Sequence, residues 1–147
     1  MKIKVAWIGK TKDPAIQTLT AEYLKRLSAY TQLEPLAVGS EAALLKLAGR
    51  TANRPSCKLV LLDRLGKQFT SEEFAGFLDE QQNHSPYPPL FAVGPANGFS
   101  EEARKAAVFL LSLGKMTLPH ELARVVLLEQ LYRAYTILKG HPYHLGH

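Results

Sequence analysis

The sequence predicts an α/β fold in which helices cover both faces of a mostly parallel sheet. Short apolar runs alternate with segments whose apolar residues recur at helical spacing, and this alternation is typical of parallel sheets. Two of the runs, Lys58–Asp63 and Leu90–Val93, are apolar almost throughout, as expected of strands buried on both faces. The chain has 147 residues and is expected to form one domain, residues 1–147.

Glycine, proline and serine mark the ends of the predicted elements. Gly9 ends the first strand, and Pro14 suits the first turn of a helix. Pro35 cannot donate a ladder hydrogen bond, so the second strand should be short or lie at an edge. Ser40 and Ser100 are expected to cap helices. The predicted order is strand Lys2–Gly9, helix Pro14–Ala29, strand Leu33–Val38, helix Glu41–Ala48, loop Gly49–Ser56, strand Lys58–Asp63, helix Ser71–Gln82, strand Leu90–Val93, helix Ser100–Ala107, strand Val108–Ser112 and helix Pro119–Lys139.

The composition excludes some function classes and leaves others open. The formal net charge is +5 and the sequence pI is about 9.4, which suits a polyanionic partner but is shared by many small enzymes. The longest apolar runs are too short to cross a bilayer, and the first residues lack the apolar stretch of a signal peptide. The single cysteine, Cys57, is predicted to be a small buried hydrophobe. We therefore expect a cytoplasmic protein.

Three loops are candidates for a ligand site, because ligands bind beyond the carboxyl ends of parallel strands. They are Asp63–Lys67, Gly94–Phe99 and Ser112–Pro119. The glycines of the second loop would let its backbone approach a ligand, although a simple turn needs the same residues. In the third, Leu113–Leu118 could offer backbone groups to an adenine above an apolar floor, or could be an ordinary connection.

The last helix and the tail carry the remaining candidate residues. The helix is apolar on more than one face, which suggests a subunit interface. Glu129 and Arg133 are four residues apart, and form either a surface ion pair or part of a site. In the tail, three histidines recur at intervals of three, but Pro142 prevents a regular helix and no cysteine or carboxylate cluster is near, so we expect no metal. Tyr143 and His144 would instead serve as hydrogen-bonding or proton-transfer groups.

Several of these segments together resemble one family, the ribosomal RNA large subunit methyltransferase H family. The resemblance is most specific in the last third of the chain, and it extends to the opening residues and to the glycine loop. It rests on Lys115–His120 (KMTLPH), Arg124–Tyr135 (RVVLLEQLYRAY), His141–His144 (HPYH), Met1–Lys10, Glu22–Leu27, Leu61–Asp63 with Gly66 and Lys67, and Gly94–Phe99. It implies a SPOUT fold with a C-terminal trefoil knot, and a homodimer whose active site is shared between subunits.

The resemblance also implies a reaction and a set of site residues. The reaction would transfer a methyl group from S-adenosylmethionine to N3 of a pseudouridine in helix 69 of 23S rRNA, on the assembled ribosome and without a metal. The positions matching the family's cofactor contacts are Leu62, Gly94, Leu113, Gly114, Lys115, Met116, Thr117 and Leu118. The positions matching its catalytic or RNA-docking residues are Glu129, Arg133, Tyr143 and His144.

One position departs from the family pattern, and it keeps a second function open. The family usually has two consecutive glycines at the start of the loop, and here the second is Pro95, which has no N–H to donate. The alternative is a non-catalytic RNA-binding or ribosome-binding module on the same scaffold. A nucleotide-using hydrolase is disfavoured, because the sequence has no phosphate loop, nucleophile elbow or metal cluster.

Overall fold

Five strands and five α-helices alternate along the part of the chain that the computed structural model describes, residues 2–49, 56–83 and 86–146. Most of the predicted loop Gly49–Ser56 lies outside these residues, while the other predicted strands and helices have counterparts. The elements are β1 (Lys2–Ile8), α1 (Pro14–Leu27), β2 (Gln32–Val38), α2 (Glu41–Leu47), β3 (Lys58–Gln68), α3 (Ser71–Asn83), β4 (Pro89–Val93), α4 (Glu101–Ala106), β5 (Phe109–Ser112), α5 (His120–Leu138) and a final 3-10 turn, His144–Gly146.

The strands form one sheet in the order β2-β1-β4-β3-β5, and all four neighbouring pairs are parallel. The parallel α/β fold is therefore confirmed. β2 lies at an edge, as Pro35 predicted, and its inner neighbour is β1. Because all strands are parallel, the loops that follow β3, β4 and β5 meet at one edge of the sheet, where ligands bind in such folds.

A hydrophobic core lies on each face of the sheet, so the helices form two layers. On one face α1, α3 and α5 pack over Val5, Val60 and Phe91. On the other face α2 and α4 pack over Leu59 and Leu61. Neighbouring residues of β3 thus point into different cores, which explains why this strand is apolar without alternation. Cys57 is buried in the second core, as predicted.

Side-chain caps begin the helices where the sequence predicted them. Ser40 and Ser100 each accept a hydrogen bond from the backbone N–H three residues further on. The start of α3 is a capping box, in which Thr70 and Glu73 each accept a hydrogen bond from the other's backbone N–H. The cap of α3 is therefore Thr70, one residue before the predicted start, Ser71.

The predicted loop Asp63–Lys67 is wrong, because β3 continues to Gln68. Its pairing with β5 stops at Leu62 and resumes at Lys67, both opposite Leu111, so four residues bulge out between them. At Gly66 a Cβ would lie 2.6 Å from the backbone of Leu110, so only glycine allows the two strands to approach this closely. The glycine that indicated a turn serves a close strand contact instead.

The apolar residues of α5 are largely buried within the same chain. The helix packs between α1 and α3 against the sheet, and Leu127, Leu128 and Leu131 are fully buried there. This packing accounts for the apolar faces from which the sequence suggested a subunit interface. No helix in the described parts of the chain combines the length and apolarity needed to cross a bilayer.

A buried arginine attaches the first turns of α5 to the end of β1. Arg124 is 1% exposed. It donates hydrogen bonds to the carbonyl of Ile8 and the hydroxyl of Thr11, both at 2.9 Å, and its guanidinium lies over the Trp7 ring. Glu121, one turn earlier, accepts hydrogen bonds from the two backbone N–H groups that precede α1. The loop between β1 and α1 is thereby held on α5.

Two glycine substitutions should change stability in opposite directions. Gly66→Ala should lower the free energy of unfolding by about 1 to 3 kcal/mol, because the new methyl group overlaps the backbone of β5. Gly76→Ala should raise it by about 0.5 to 1 kcal/mol, because this position is inside α3 with open space around it. Urea denaturation measures both. Equal stability of the two variants would contradict the close contact at Gly66.

Candidate functional site

A cleft of about 700 Å³, including the space at its open side, lies at the carboxyl edge of β3, β4 and β5. Residues from the bulge of β3, from the loop after β4 and from the loop after β5 surround it, together with two residues of α5. The lining residues are Leu62, Asp63, Arg64, Val93, Gly94, Pro95, Ala96, Gly98, Phe99, Leu113, Gly114, Met116, Thr117, Leu118, His120 and Ala123.

The loop after β4 forms a compact wall of the cleft. Gly94 is buried, and a Cβ there would lie 2.9 Å from the Phe99 ring, so the ring packs directly on the glycine backbone. Gly98 donates a backbone hydrogen bond to the carbonyl of Pro95 at 2.9 Å and closes a turn. Because Pro95 contributes only its carbonyl, the turn does not need the missing N–H. The segment is therefore a turn that also lines the cleft, and its contact with a ligand stays a prediction.

The loop between β5 and α5 forms the opposite wall. The hydroxyl of Ser112 accepts a hydrogen bond from the N–H of Gly114 and donates one to its carbonyl, at 3.1 and 3.0 Å. These bonds hold a tight bend in which Gly114 has a φ of +143°. Of the six residues predicted in this loop, five line the cleft, and the exposed Lys115 does not. Met116 lines the cleft but remains 86% exposed.

The four residues predicted for catalysis or RNA docking form one connected cluster. Arg133 donates two hydrogen bonds to the carboxylate of Glu129, at 3.2 Å from Nε and 2.9 Å from Nη2. Their side chains are only 13% and 19% exposed, so the pair is more buried than an ordinary surface ion pair. The hydroxyl of Tyr143 donates to Glu129 at 2.8 Å, and the Arg133 guanidinium lies over the Tyr143 ring.

His144 joins this cluster to the start of α3. Its Nδ1 is 2.9 Å from Nη1 of Arg133, and its Nε2 is 2.5 Å from Oε1 of Glu72. No sequence pattern singles out Glu72, because acidic residues are common in the first turn of any helix. We call the five residues Glu72, Glu129, Arg133, Tyr143 and His144 the tail cluster.

The tail cluster and the cleft occupy different parts of α5. His120 and Ala123, near the start of α5, line the cleft, and none of the tail cluster does. Along the helix axis, Ala123 lies about 9 Å from Glu129, six residues on, and about 15 Å from Arg133, ten residues on. The structure thus brings the predicted catalytic residues together, and brings the predicted cofactor residues together apart from Lys115, but it does not join the two groups within one chain.

The surroundings of Tyr143 keep its phenol protonated. Partial burial and the hydrogen bond to the Glu129 carboxylate raise the pKa of Tyr143 well above its usual value. The same carboxylate raises the pKa of Arg133. Tyr143 therefore acts as a hydrogen-bond donor near neutral pH and is a poor candidate for a base.

Metal-ligating side chains do not converge in the described residues, since no group of three or more His, Cys, Asp or Glu is close enough to hold an ion. The last of the three tail histidines, His147, lies outside those residues.

In the lining of the cleft, sequence reasoning missed Val93 and Ala123, and it included Arg64 and His120 only as members of a candidate loop and of the family motif. Phe99 was included only as the end of a candidate loop. The contribution of α5 carried no local signal, because it depends on where the helix packs.

Comparison with known proteins gives one family over almost the whole chain. The family model described as a predicted SPOUT methyltransferase matches residues 1–144. The chain is 60% identical over 147 residues to a protein of Koribacter versatilis, with all of both chains covered. It is 46% identical to a protein of Gloeobacter violaceus, covering 99% of this chain and 100% of that protein. Both relatives are named ribosomal RNA large subunit methyltransferase H.

Two solved structures share the fold at low sequence identity. The SpoU methyltransferase AviRb of Streptomyces viridochromogenes, solved with the cofactor AdoMet, matches with a TM-score of 0.51 and 15% identity. The match covers 89% of this chain but only 57% of the AviRb chain. Ribosomal RNA small subunit methyltransferase E of Neisseria gonorrhoeae, bound to S-adenosyl methionine, matches with a TM-score of 0.50 and 17% identity, covering 92% of this chain and 66% of that one.

The alkaline stability of the protein should depend on Tyr143. A raised pKa in the folded state means that stability falls as the pH rises above about 10, where the phenol of the unfolded chain ionises and the folded one does not. Tyr143→Phe should therefore show a shallower loss of unfolding free energy between pH 9 and pH 11, measured by urea denaturation. A smaller slope should remain, because burial also raises the pKa of Tyr135. The exposed Tyr87 provides the control variant Tyr87→Phe, and an equal change in both variants would contradict the assignment.

Proposed function

Because the chain belongs to the ribosomal RNA large subunit methyltransferase H family of SPOUT methyltransferases, we propose that it methylates N3 of a pseudouridine in helix 69 of 23S rRNA. S-adenosylmethionine is the proposed methyl donor, and the assembled ribosome, in the cytoplasm, is the proposed substrate. The observation that carries the proposal is the cleft, which is lined by seven of the eight positions matching the family's cofactor contacts. Full-length identity of 60% to a relative of that name supports the rRNA of the large subunit as the target.

The residues of the cleft fit S-adenosylmethionine. At Gly94 the Phe99 ring packs directly on the glycine backbone, so any side chain there would displace this ring from the wall of the cleft. The bend at Gly114 presents further backbone groups, which can read the edge of an adenine, and Leu62 and Leu118 add apolar surface. Arg64 is the cation in the lining that can bind a carboxylate. When bound, this cofactor supplies a methyl group on a sulfonium, which reacts by in-line displacement.

The tail cluster has the chemistry to hold the RNA and manage its proton. The N3–H of the base is only weakly acidic, so methylation needs a group that accepts this proton or stabilises the anion. Arg133 can bind a phosphate or the developing negative charge, and Glu129 orients its guanidinium through two hydrogen bonds. Tyr143 donates to Glu129 and fixes the carboxylate from the other side.

We further propose that the enzyme is a homodimer whose active site combines the cleft of one chain with the tail cluster of the other. The separation of about 9 to 15 Å between the cleft and the tail cluster along α5 supports this arrangement. Apolar side chains left in solvent near the cleft, Met116 at 86% and Leu122 at 37% exposure, also support it. The C-terminal trefoil knot and the single domain of residues 1–147 are proposed from the family alone.

The second candidate is the non-catalytic module, and Pro95 is the observation that favours it. If the N–H missing at Pro95 is essential for the cofactor, the scaffold would bind RNA without methylating it. The turn closed by Gly98 and Pro95 forms without that N–H, which favours the enzyme.

Cofactor binding should depend on the glycine of the cleft. By calorimetry, the wild type should bind S-adenosylmethionine. Gly94→Ala should weaken binding about tenfold or more, because the added Cβ displaces the Phe99 ring. Gly76→Ala makes the same chemical change in open space on α3 and should leave the affinity unchanged. No binding by the wild type at millimolar cofactor would favour the non-catalytic module.

Methylation should depend on the tail cluster without a matching effect on cofactor affinity. Arg133→Ala and His144→Ala should bind the cofactor as the wild type does, since neither residue lines the cleft. Both should lower the methylation rate by about 100-fold or more. Mass mapping of 23S rRNA from a deletion strain that carries each variant measures the modification. Near-normal methylation by both variants would remove the tail cluster from the mechanism.

A further inference from the structure

The hydrogen bonds of His144 fix which of its ring nitrogens carries the proton. An arginine side chain has only donors, so the Nδ1 atom that faces Nη1 of Arg133 at 2.9 Å must accept. In a neutral ring the other nitrogen then holds the hydrogen. Nε2 therefore donates to the Glu72 carboxylate, 2.5 Å away. The ring is the Nε2–H tautomer, held between a cation on one side and a carboxylate on the other.

With both of these hydrogen bonds formed, neither ring nitrogen of His144 has a free lone pair. Nδ1 is the basic atom, and Arg133 covers it. Arg133 is attached to Glu129 through Nε and Nη2, so only its Nη1 is committed to the histidine. A movement of that one group onto an RNA phosphate would expose Nδ1 while the bond between Nε2 and Glu72 remains.

We propose that Glu72 is a positioning residue that orients His144 so that Nδ1 accepts the N3 proton, and that Arg133 covers this atom until RNA binds. This inference rests on the proposed function. In the step, the N3–H bond breaks and its proton goes to Nδ1, which makes an imidazolium. The electron pair left on N3 forms the new N–CH3 bond, while the S–CH3 bond of the cofactor breaks and leaves a neutral thioether.

The charges around His144 explain why Glu72 has this effect. The groups that face the ring are Glu72 from α3, Arg133 and Glu129 from α5, and Tyr143 from the tail. Glu72 is ionised at neutral pH, because its own backbone N–H and the hydrogen bond from His144 lower its pKa. The Glu72 carboxylate favours the imidazolium that the step produces, whereas Arg133 opposes it as long as it faces Nδ1. Displacement of Arg133 by phosphate therefore makes His144 a stronger base.

The tautomer is tested first, without any reaction. Ring ¹⁵N chemical shifts of the full-length protein, assigned with His144→Ala, should report a neutral Nε2–H ring for His144 near pH 8. A neutral Nδ1–H ring, or a ring protonated on both nitrogens at that pH, would overturn the proposal.

The role of Glu72 is tested with Glu72→Gln, which keeps an oxygen that accepts the bond from Nε2 and removes only the charge. The imidazolium of His144 then loses a stabilising charge, and the effect should be modest because the side chain of Glu72 is 62% exposed. The single-turnover methylation rate is measured as a function of pH, on ribosomes from the deletion strain with saturating cofactor. The acid limb of this profile, where the rate falls as the pH falls, should move to lower pH. The plateau rate should fall.

The matched control is Glu73→Gln, which removes the same charge from the same helical turn and keeps the capping box with Thr70. A purely structural effect of Glu72 would lower the rate equally at all pH values. An unmoved acid limb in Glu72→Gln, or an equal movement in Glu73→Gln, would overturn the proposal.

The two proposals fail in different ways. If the wild type does not methylate the ribosomes, the proposed function is overturned and the proton transfer with it, while the ring titration still reports whether Glu72 acts on His144. If the wild type methylates and only the acid limb fails to move, the function stands and the role of Glu72 is overturned.

Discussion

The contact between Gly66 and the backbone of Leu110 is the constraint on which the arrangement of both sites depends. It lets β3 return to β5 after a four-residue bulge, so β3 pairs with β5 both before and after the bulge. The bulge itself brings Asp63 and Arg64 to the cleft, and Asp63 is fixed there by Arg104 at 2.6 Å and by the backbone N–H of Leu65. The same strand then leads through the capping box into α3, whose first turn carries Glu72 to His144. A side chain at position 66 would therefore disturb the cleft and the tail cluster together.

Helix α5 carries residues of both the cleft and the tail cluster. Its first turns line the cleft and are anchored by Arg124, whose burial is compensated in part by two hydrogen bonds and the Trp7 ring, while its buried Nε has no hydrogen-bond partner among the described residues. A buried guanidinium that lost these partners would be strongly destabilising, so the loop before α1 and the start of α5 behave as one unit. The later turns carry Glu129 and Arg133. A rigid helix thus sets the distance between the cleft and the tail cluster of the same chain.

Local sequence patterns predicted the elements well, and long-range pairing poorly. Pro35 predicted an edge strand, and Ser40 and Ser100 predicted helix caps, because each depends on hydrogen bonds within a few residues. The bulge was missed, since a glycine indicates a turn and a close strand contact equally, and the contact at Gly66 involves a residue more than forty positions away. Lys115 was included by its place in a motif, yet the bend at Gly114 leaves it in solvent. Likewise an acidic residue such as Glu72 is ordinary at a helix start, and only the structure shows that His144 of the tail contacts it.

The tail cluster is satisfied internally in the absence of RNA, and this affects how a substrate could engage it. A partly buried set of charges is stable only when every member has a partner, and here each one does. A phosphate that takes Nη1 of Arg133 replaces a neutral acceptor by an anionic one, which gives the guanidinium a stronger hydrogen bond. A neutral ligand offers no such replacement and leaves the cluster closed. In the proposed mechanism, the basic nitrogen of His144 is therefore exposed only by a ligand that brings a phosphate to Arg133, which couples base activation to the presence of RNA.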